Sequence, residues 1–267
     1  MTEMDTTQDA SKKENVGGSG TPIIVVKGLT VRYDDNAVLE NVSLQVFQGE
    51  RFIILGGSGC GKSTLLKHLI GLYKPHSGSI CIGGVDITTA DEDTLRKIRM
   101  GIGVLFQNDA LFGSMTLFEN IALPLTEYTD LTDESIEAIV KMKLGLVNLA
   151  GYENHLPSEL SGGMRKRAGI ARAMALDPHL LFLDEPWAGL DPVTAAGLDN
   201  LIRRINTGIG TTMVIVTQEL ASIFGVGQRV IMLDKSARGI IAEGDPLELR
   251  EHSADPRVVN YFSRHAA

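Results

Sequence analysis

Cysteine is scarce in this chain of 267 residues, which carries two, Cys60 and Cys81. Two thiols make no disulfide framework, and their separation is not that of a metal-ligand pair, so a reducing compartment is the natural setting. Aromatic residues reach only 5%, which argues against the base-stacking platforms of single-strand nucleic-acid binders. A basic excess is missing too. The formal net charge is −8, which excludes a broad nucleic-acid footprint while leaving room for a local basic patch. No apolar run approaches the roughly 18 residues of a membrane-spanning helix, so any membrane role is expected to run through a partner. The opening MTEMDTTQDASKKENVGGSG lacks the apolar core of a signal peptide and reads as a disordered polar tail over residues 1–21. There is neither an internal repeat nor a long linker.

Order begins at Pro22. IIVV (23–26), VSLQV (42–46), RFIIL (51–55), SICIGG (79–84) and MGIGVLF (100–106) read as strands, as do LLFLD (180–184), TMVIVT (212–217) and VIMLD (230–234). Helices are expected over about 62–71, 162–175 and 193–207. Helical spacing also runs through 116–150, where Leu131-Thr-Asp-Glu supplies a cap. Near-continuous apolar strands alternating with helices predict a largely parallel sheet covered on both faces. The helical block at about 107–170 would be a subdomain on its edge.

The strongest chemical signal is GGSGCGKST, Gly56 to Thr64. Gly56, Gly61, Lys62 and Ser63 fit G-x-x-x-x-G-K-[ST] directly after a strand and before a helix. The glycines let consecutive N–H groups turn inward around a phosphate, and the helix N-terminus adds partial positive charge. On this reading Gly56, Gly57, Ser58, Gly59, Cys60, Gly61, Lys62, Ser63 and Thr64 hold a nucleotide. Lys62 reaches its β- and γ-phosphates and Ser63 ligates Mg²⁺. The bland alternative is a glycine turn with a chance Lys-Ser.

LLFLDE (180–185) is the complement. Asp184 emerges from a buried strand where it can hold Mg²⁺ through water, and Glu185 is placed to polarise an attacking water as general base. Alone, an Asp-Glu strand end means only solvation; its pairing with the phosphate loop favours function. Leu160-Ser161-Gly162-Gly163-Met164 opens another helix with a hydroxyl and little steric hindrance. In isolation it is an ordinary N-cap. A second phosphate cradle makes sense if it serves the nucleotide of a neighbouring copy. VIVTQEL (214–220) ends a further buried strand in Gln218 and Glu219, the setting of an active-site rim.

In these motifs, and from about Ile23 to Glu243, the chain resembles the ATP-binding-cassette ATPases. LSGGM resembles that family's signature, with Met164 where Gln is commonest. The order is also the family's: phosphate loop, Gln107 after a strand, signature, LLFLDEP, then AGLD (188–191) with Asp191 as the D-loop. The resemblance implies a P-loop NTPase, RecA-like fold: a mostly parallel core, an antiparallel β edge and an inserted α-helical subdomain. It implies that Tyr33 stacks on adenine, the alternative being a surface tyrosine at a strand end. It assigns Gln107 to Mg²⁺ and to sensing the membrane partner, the alternative being a polar loop residue. It places Gln218 where the family has a switch histidine that hydrogen-bonds the γ-phosphate, the alternative being a helix cap. Glutamine keeps an N–H donor there but cannot become cationic.

LFQNDALFGSMTLFENIALPL (105–125), MKLGLVNLAG (142–151), LPSELSGGMRKRAGIARAMALDP (156–178) and DPRVVNYF (255–262) narrow the resemblance to the ATPases of Mce-type phospholipid transporters, the Mla group. That implies a homodimer with ATP and Mg²⁺ as cofactors, on the cytoplasmic side of a bacterial inner membrane. It also implies an MlaE-like integral membrane permease, an Mce-domain protein and a small STAS-domain protein as partners, with no nucleic acid. Leu111, Phe112 and Leu117 either line a groove for the permease or form subdomain core. Other readings stay open: a cassette ATPase for another substrate, a soluble cassette acting on DNA or ribosomes, or a slow-turnover switch module on account of Gln218. The expected division is a tail over 1–21, a nucleotide-binding domain over 22–245 and a C-terminal helical extension over 246–267.

Overall fold

The structure, a computed structural model, describes residues 20–34 and 36–264. The polar tail expected over 1–21 lies almost wholly outside the described residues. The strands in chain order are β1 (Pro22–Tyr33), β2 (Asn36–Phe47), β3 (Arg51–Gly56), β4 (Ser77–Ile82), β5 (Val85–Asp86), β6 (Ile102–Leu105), β7 (Leu180–Asp184), β8 (Thr212–Thr217), β9 (Arg229–Asp234) and β10 (Gly239–Gly244). The helices are α1 (Lys62–Leu69), α2 (Glu92–Met100), α3 (Leu117–Tyr128), α4 (Asp133–Leu146), α5 (Gly162–Ala173), α6 (Pro192–Ile209), α7 (Leu220–Val226), α8 (Pro246–His252) and α9 (Pro256–Arg264).

An antiparallel sheet takes the order β2-β1-β4-β5, and the central sheet the order β10-β9-β3-β8-β7-β6. In the central sheet β9, β3, β8, β7 and β6 are parallel and β10 alone runs antiparallel, on the edge. β7 and β8 are buried along their whole length and β3 from Phe52 onward, as expected of strands covered on both faces. The period of two divides their side chains between two cores. Ile53, Leu55, Leu181, Leu183, Met213 and Ile215 face one core, shared with α3 to α7 and with Val258 and Phe262 of α9. Phe52, Ile54, Phe182, Val214 and Val216 face the other, shared with α1, α2 and the antiparallel sheet.

Several helix boundaries follow side-chain caps. The helical spacing over 116–150 resolves into two helices because Thr132 caps a second start, accepting from the Ser135 amide. Thr116 and Glu119 form a reciprocal capping box at the first. The strand expected over 100–106 is shorter: Asp91 caps α2, which runs through Met100 and delays β6 to Ile102. Neither α2 nor β10 was anticipated. Residues 246–264 form α8 and α9, with Val258 and Phe262 buried in the main core.

Candidate functional site

Three adjacent parallel strands end together. Leu55 of β3 pairs with Thr217 of β8, and Asp184 of β7 pairs with Val216 of β8. Carboxyl ends of neighbouring parallel strands are where α/β sheets hold ligands.

Past Leu55 the chain turns through glycines with φ of 149° at Gly56, 74° at Gly59 and 103° at Gly61. A Cβ on Gly56 would lie 2.4 Å from the Leu233 carbonyl oxygen and 2.6 Å from the Cys60 Sγ, so only glycine fits. α1 begins on Gly61 with neither a side-chain cap nor an acid in its first turn. By contrast α2, α3 and α4 are closed by Asp91, Thr116 and Thr132. An uncapped helix start behind a glycine loop leaves N–H donors for an anion. Lys62 is folded over this loop, its Nζ donating to the Gly56 and Gly57 carbonyls at 2.8 and 3.2 Å.

Ser63 Oγ donates to Asp184 Oδ1 at 3.3 Å, and Lys62 Nζ lies 4.0 Å from Glu185 Oε1. Both acids are buried, Asp184 at 5% and Glu185 at 7% exposure. Burial pushes both carboxyls above their ordinary range, opposed at Asp184 by the Ser63 hydrogen bond and at both by the Lys62 charge. Glu185 adopts the left-handed region (φ 48°), a conformation that costs a non-glycine residue of order 1–3 kcal/mol. Its amide donates to the Val216 carbonyl at 2.8 Å, which holds it there. The Gln218 amide in turn donates to Glu185 Oε2 at 3.3 Å. Lys62, Ser63, Asp184, Glu185 and Gln218 are thus brought to one place. Among the described residues no three of His, Cys, Asp and Glu gather into a metal cage. The Ser63 hydroxyl and Asp184 carboxylate are nonetheless the hard oxygen donors that suit Mg²⁺ when phosphate and water complete its shell.

Among the described residues no hydrogen bond or ion pair joins Tyr33, Gln107, Ser161 or Asp191, also singled out in the sequence, to this cluster. Tyr33 is half exposed at the β1–β2 turn, opposite Asn36. The same hairpin brings Leu39 and Val38 within 2.9 and 3.2 Å of a Cβ placed on Gly61. Gln107 is exposed after β6, and its carbonyl accepts from Lys166 Nζ. Ser161 caps α5, accepting from the Met164 amide at 3.3 Å. A Cβ on Gly163 would lie 2.3 Å from Thr194 Cγ2 of α6. Asp191 caps α6, accepting from the Val193 and Thr194 amides at 3.0 Å each. The signature and Asp191 therefore form one tightly packed unit. Among the described residues no hydrogen bond joins Ser161 to Met164 with the glycine loop. Leu111, Phe112 and Leu117 divide: Leu117 is wholly buried, Leu111 packs on the core, and Phe112 is 49% exposed.

Sequence reasoning missed Tyr261. α9 carries it to the end of β8, where its hydroxyl donates to the Gln218 carbonyl at 3.5 Å. Burial and the nearby Glu185 charge push its pKa upward. The i, i+3, i+4 spacing of Val258, Tyr261 and Phe262 was the available signal for such a packed helix.

A glycine phosphate loop opening a helix, a hydroxyl behind its lysine and two acids at the next strand end but one define a P-loop NTPase. The ABC transporter profile matches residues 39–188, and the chain belongs to that family. It is 49% identical over 77% of its length to the probable ribonucleotide transport ATP-binding protein mkl of Mycobacterium leprae, of which it spans 60%. It is 39% identical to the intermembrane phospholipid transport system ATP-binding protein MlaF of Haemophilus influenzae, covering 90% of both chains. The methionine import ATP-binding protein MetN of Brucella abortus is 40% identical over 88% of this chain and 62% of its own. Among solved structures, a dimeric ATP-binding cassette in a post-hydrolysis state with ADP and Pi superposes with a TM-score of 0.76 at 32% identity. That match covers 84% of this chain and 98% of the other. No helix among the described residues is long and apolar enough to cross a membrane.

Proposed function

We propose that this chain hydrolyses ATP as the motor subunit of a membrane transporter whose cargo is phospholipid. The observation that carries the ATPase reading is the meeting of Lys62, Ser63, Asp184 and Glu185 at adjacent strand ends. Lys62 and the loop N–H groups from Gly56 to Thr64 bind the triphosphate, and Tyr33 stacks on the adenine. Ser63, Asp184 and Gln107 would hold Mg²⁺, which would supply charge to offset that of the phosphates. Glu185 accepts a proton from the water that attacks the γ-phosphorus, while the bond to the β-phosphate oxygen breaks and ADP leaves. Gln218, held by its amide to Glu185, offers a donor to the γ-phosphate.

Ser161, Gly162 and Gly163 lie on a unit of their own with Met164 and Asp191, so on this reading they complete the site of a second copy. The dimeric state of the matched cassette supports the homodimer. ATP bridges the two copies, and loss of the γ-phosphate lets them part. The lipid reading rests on likeness to MlaF over nine tenths of both chains, with an integral membrane permease, an Mce-domain protein and a STAS-domain protein as partners on the cytoplasmic face of a bacterial inner membrane. The groove beside Phe112 takes the permease. The alternative reading, a slow switch module, rests on Gln218 in place of histidine.

The test is affinity purification of the tagged chain from detergent-solubilised native membranes, with identification of the chains and lipids that accompany it. An Mla-type permease with bound phospholipid is expected. An amino-acid permease in its place would remove the lipid reading and leave the ATPase standing.

A further inference from the structure

One face of the signature helix grips the segment that follows β6. Arg165, Lys166, Gly169 and Arg172 fall within an arc of about 120° at roughly 100° per residue, and all four meet residues 105–112. Lys166 Nζ donates to the Gln107 carbonyl and lies 2.9 Å from Asp109 Oδ1. The second contact is a charge pairing, since Oδ1 has no aligned hydrogen-bond donor. Arg165 Nε stands 3.6 Å from Asp109 Oδ2. A Cβ on Gly169 would lie 3.2 Å from the Asp109 carbonyl oxygen and 2.6 Å from Leu105 Cδ1, so helix and segment touch. Arg172 Nη1 donates to the Ala110 carbonyl at 2.6 Å and covers the Phe112 ring at 5.7 Å.

The segment is also held in an unfavourable shape. Asp109 and Ala110 both adopt left-handed backbone, with φ of 61° and 53°. Non-glycine residues stay in that region only where their surroundings over-determine it. The Lys166–Asp109 pair is well placed to do so, with side-chain exposures of 6% and 14%. A buried charge keeps its geometry because losing its partner is costly. Ala110, Phe112 and Arg172 also line a cavity of about 980 Å³ together with Arg96, Tyr128 and Leu176.

We propose that Lys166 and Asp109 are positioning residues that lock the Gln107 segment to the signature helix, so that the two move as one body. The inference rests on the functional reading above, in which Gln107 serves the site of its own chain and Ser161 serves that of the partner. With the lock in place, anything that shifts Phe112 from the cavity side shifts Ser161 as well. Without it, Gln107 and Ser161 reach their two sites independently. Neither Lys166 nor Asp109 touches nucleotide on this reading. Their loss therefore lowers the rate of the assembled dimer and leaves the affinity of the glycine loop alone.

The experiment uses the full chain and four variants: Lys166→Met, Lys166→Arg, Asp109→Asn and the Lys166→Met/Asp109→Asn double. Steady-state phosphate release gives kcat and KM, and a fluorescent ATP analogue gives the dissociation constant. Misplacement of a catalytic constellation by about 1 Å costs up to about 100-fold in rate. A loss of about tenfold in kcat is expected for Lys166→Met and for Asp109→Asn, with KM and the dissociation constant within about twofold of the parent. The double variant is expected to be no slower than the worse single, as for two ends of one contact, and Lys166→Arg to recover most of the rate. Multiplying losses, an unchanged kcat, or nucleotide affinity falling with the rate would overturn the proposal. A parent chain that hydrolyses no ATP would sink the ATPase reading instead. The lock itself is then read by amide hydrogen exchange, where peptides 105–112 and 161–166 must loosen together in Asp109→Asn. Loosening of one alone overturns it.

Discussion

Glu185→Gln is expected to act on rate and stability in opposite directions. Glu185 is 7% exposed, hydrogen-bonded through Oε2 to the Gln218 amide, and 4.0 Å from Lys62 Nζ. The amide oxygen of glutamine can still accept from the Gln218 amide, so the site keeps its shape and loses its base. Removing a positioned general base costs about 10²–10⁴-fold, or about 3–5 kcal/mol in the barrier. Stability moves the other way because burial, the largest influence on Glu185, raises its pKa in the folded chain. A group whose pKa is raised on folding favours the native state fully below its unfolded value, and that advantage is lost as pH rises through the folded value. Glutamine does not titrate. The variant should therefore melt higher than the parent at pH 7 to 8, with the gap closing as pH falls towards about 4, the ordinary carboxylate range. The acid limb of the parent's kcat should lie above that range for the same reason. Single-turnover phosphate release and melting curves across pH test both halves. Phosphate release at the parent rate would refute Glu185 as base, and a lower melting point at neutral pH would refute burial as the dominant influence.

Gln218→His should raise kcat several-fold with ATP affinity nearly unchanged, since imidazole adds a proton relay and positive charge to a donor already present; stopped-flow hydrolysis beside analogue binding reads it, and an equal or lower rate means Gln218 does not limit the chemistry. Cys60, buried inside the glycine loop with its pKa raised chiefly by burial, should alkylate slowly and more slowly still with MgATP; equal labelling in both conditions would contradict nucleotide binding at the loop. Arg229 makes a two-pronged contact with Glu50 at 2.8 and 2.9 Å, donates to the Gln45 carbonyl at 2.8 Å and lies over the Phe47 and Phe52 rings. Arg229→Met strands the buried Glu50 and should cost about 3–5 kcal/mol in urea unfolding; a loss under about 1 kcal/mol would show that Glu50 finds another partner.

The parts of this site that the sequence revealed are those whose geometry is local. Gly56 to Ser63 need only a strand before and a helix after, and the glycines report their own φ values. LLFLD and TMVIVT are mostly apolar because β7 and β8 have no solvent face, with Asp184 coming only at the strand end. The cap at Leu131-Thr-Asp-Glu was legible, and Thr132 carries it, whereas Asp91 and the helix α2 that it caps were missed. Pairings between distant elements left no such mark. Lys166 reads as one more basic residue in MRKR, and Asp109 as a polar residue after Gln107, until the fold lays α5 against β6. Tyr261 reads as part of an amphipathic ending, until α9 brings its hydroxyl to Gln218. These contacts stay hidden because spacing along a chain fixes which residues share a face but not which loop that face meets. They are also the contacts through which a nucleotide site can be governed from outside. On the proposed reading Lys62, Ser63 and Glu185 carry the chemistry, and Lys166, Asp109 and Tyr261 tie them to the elements that surround the site in this chain.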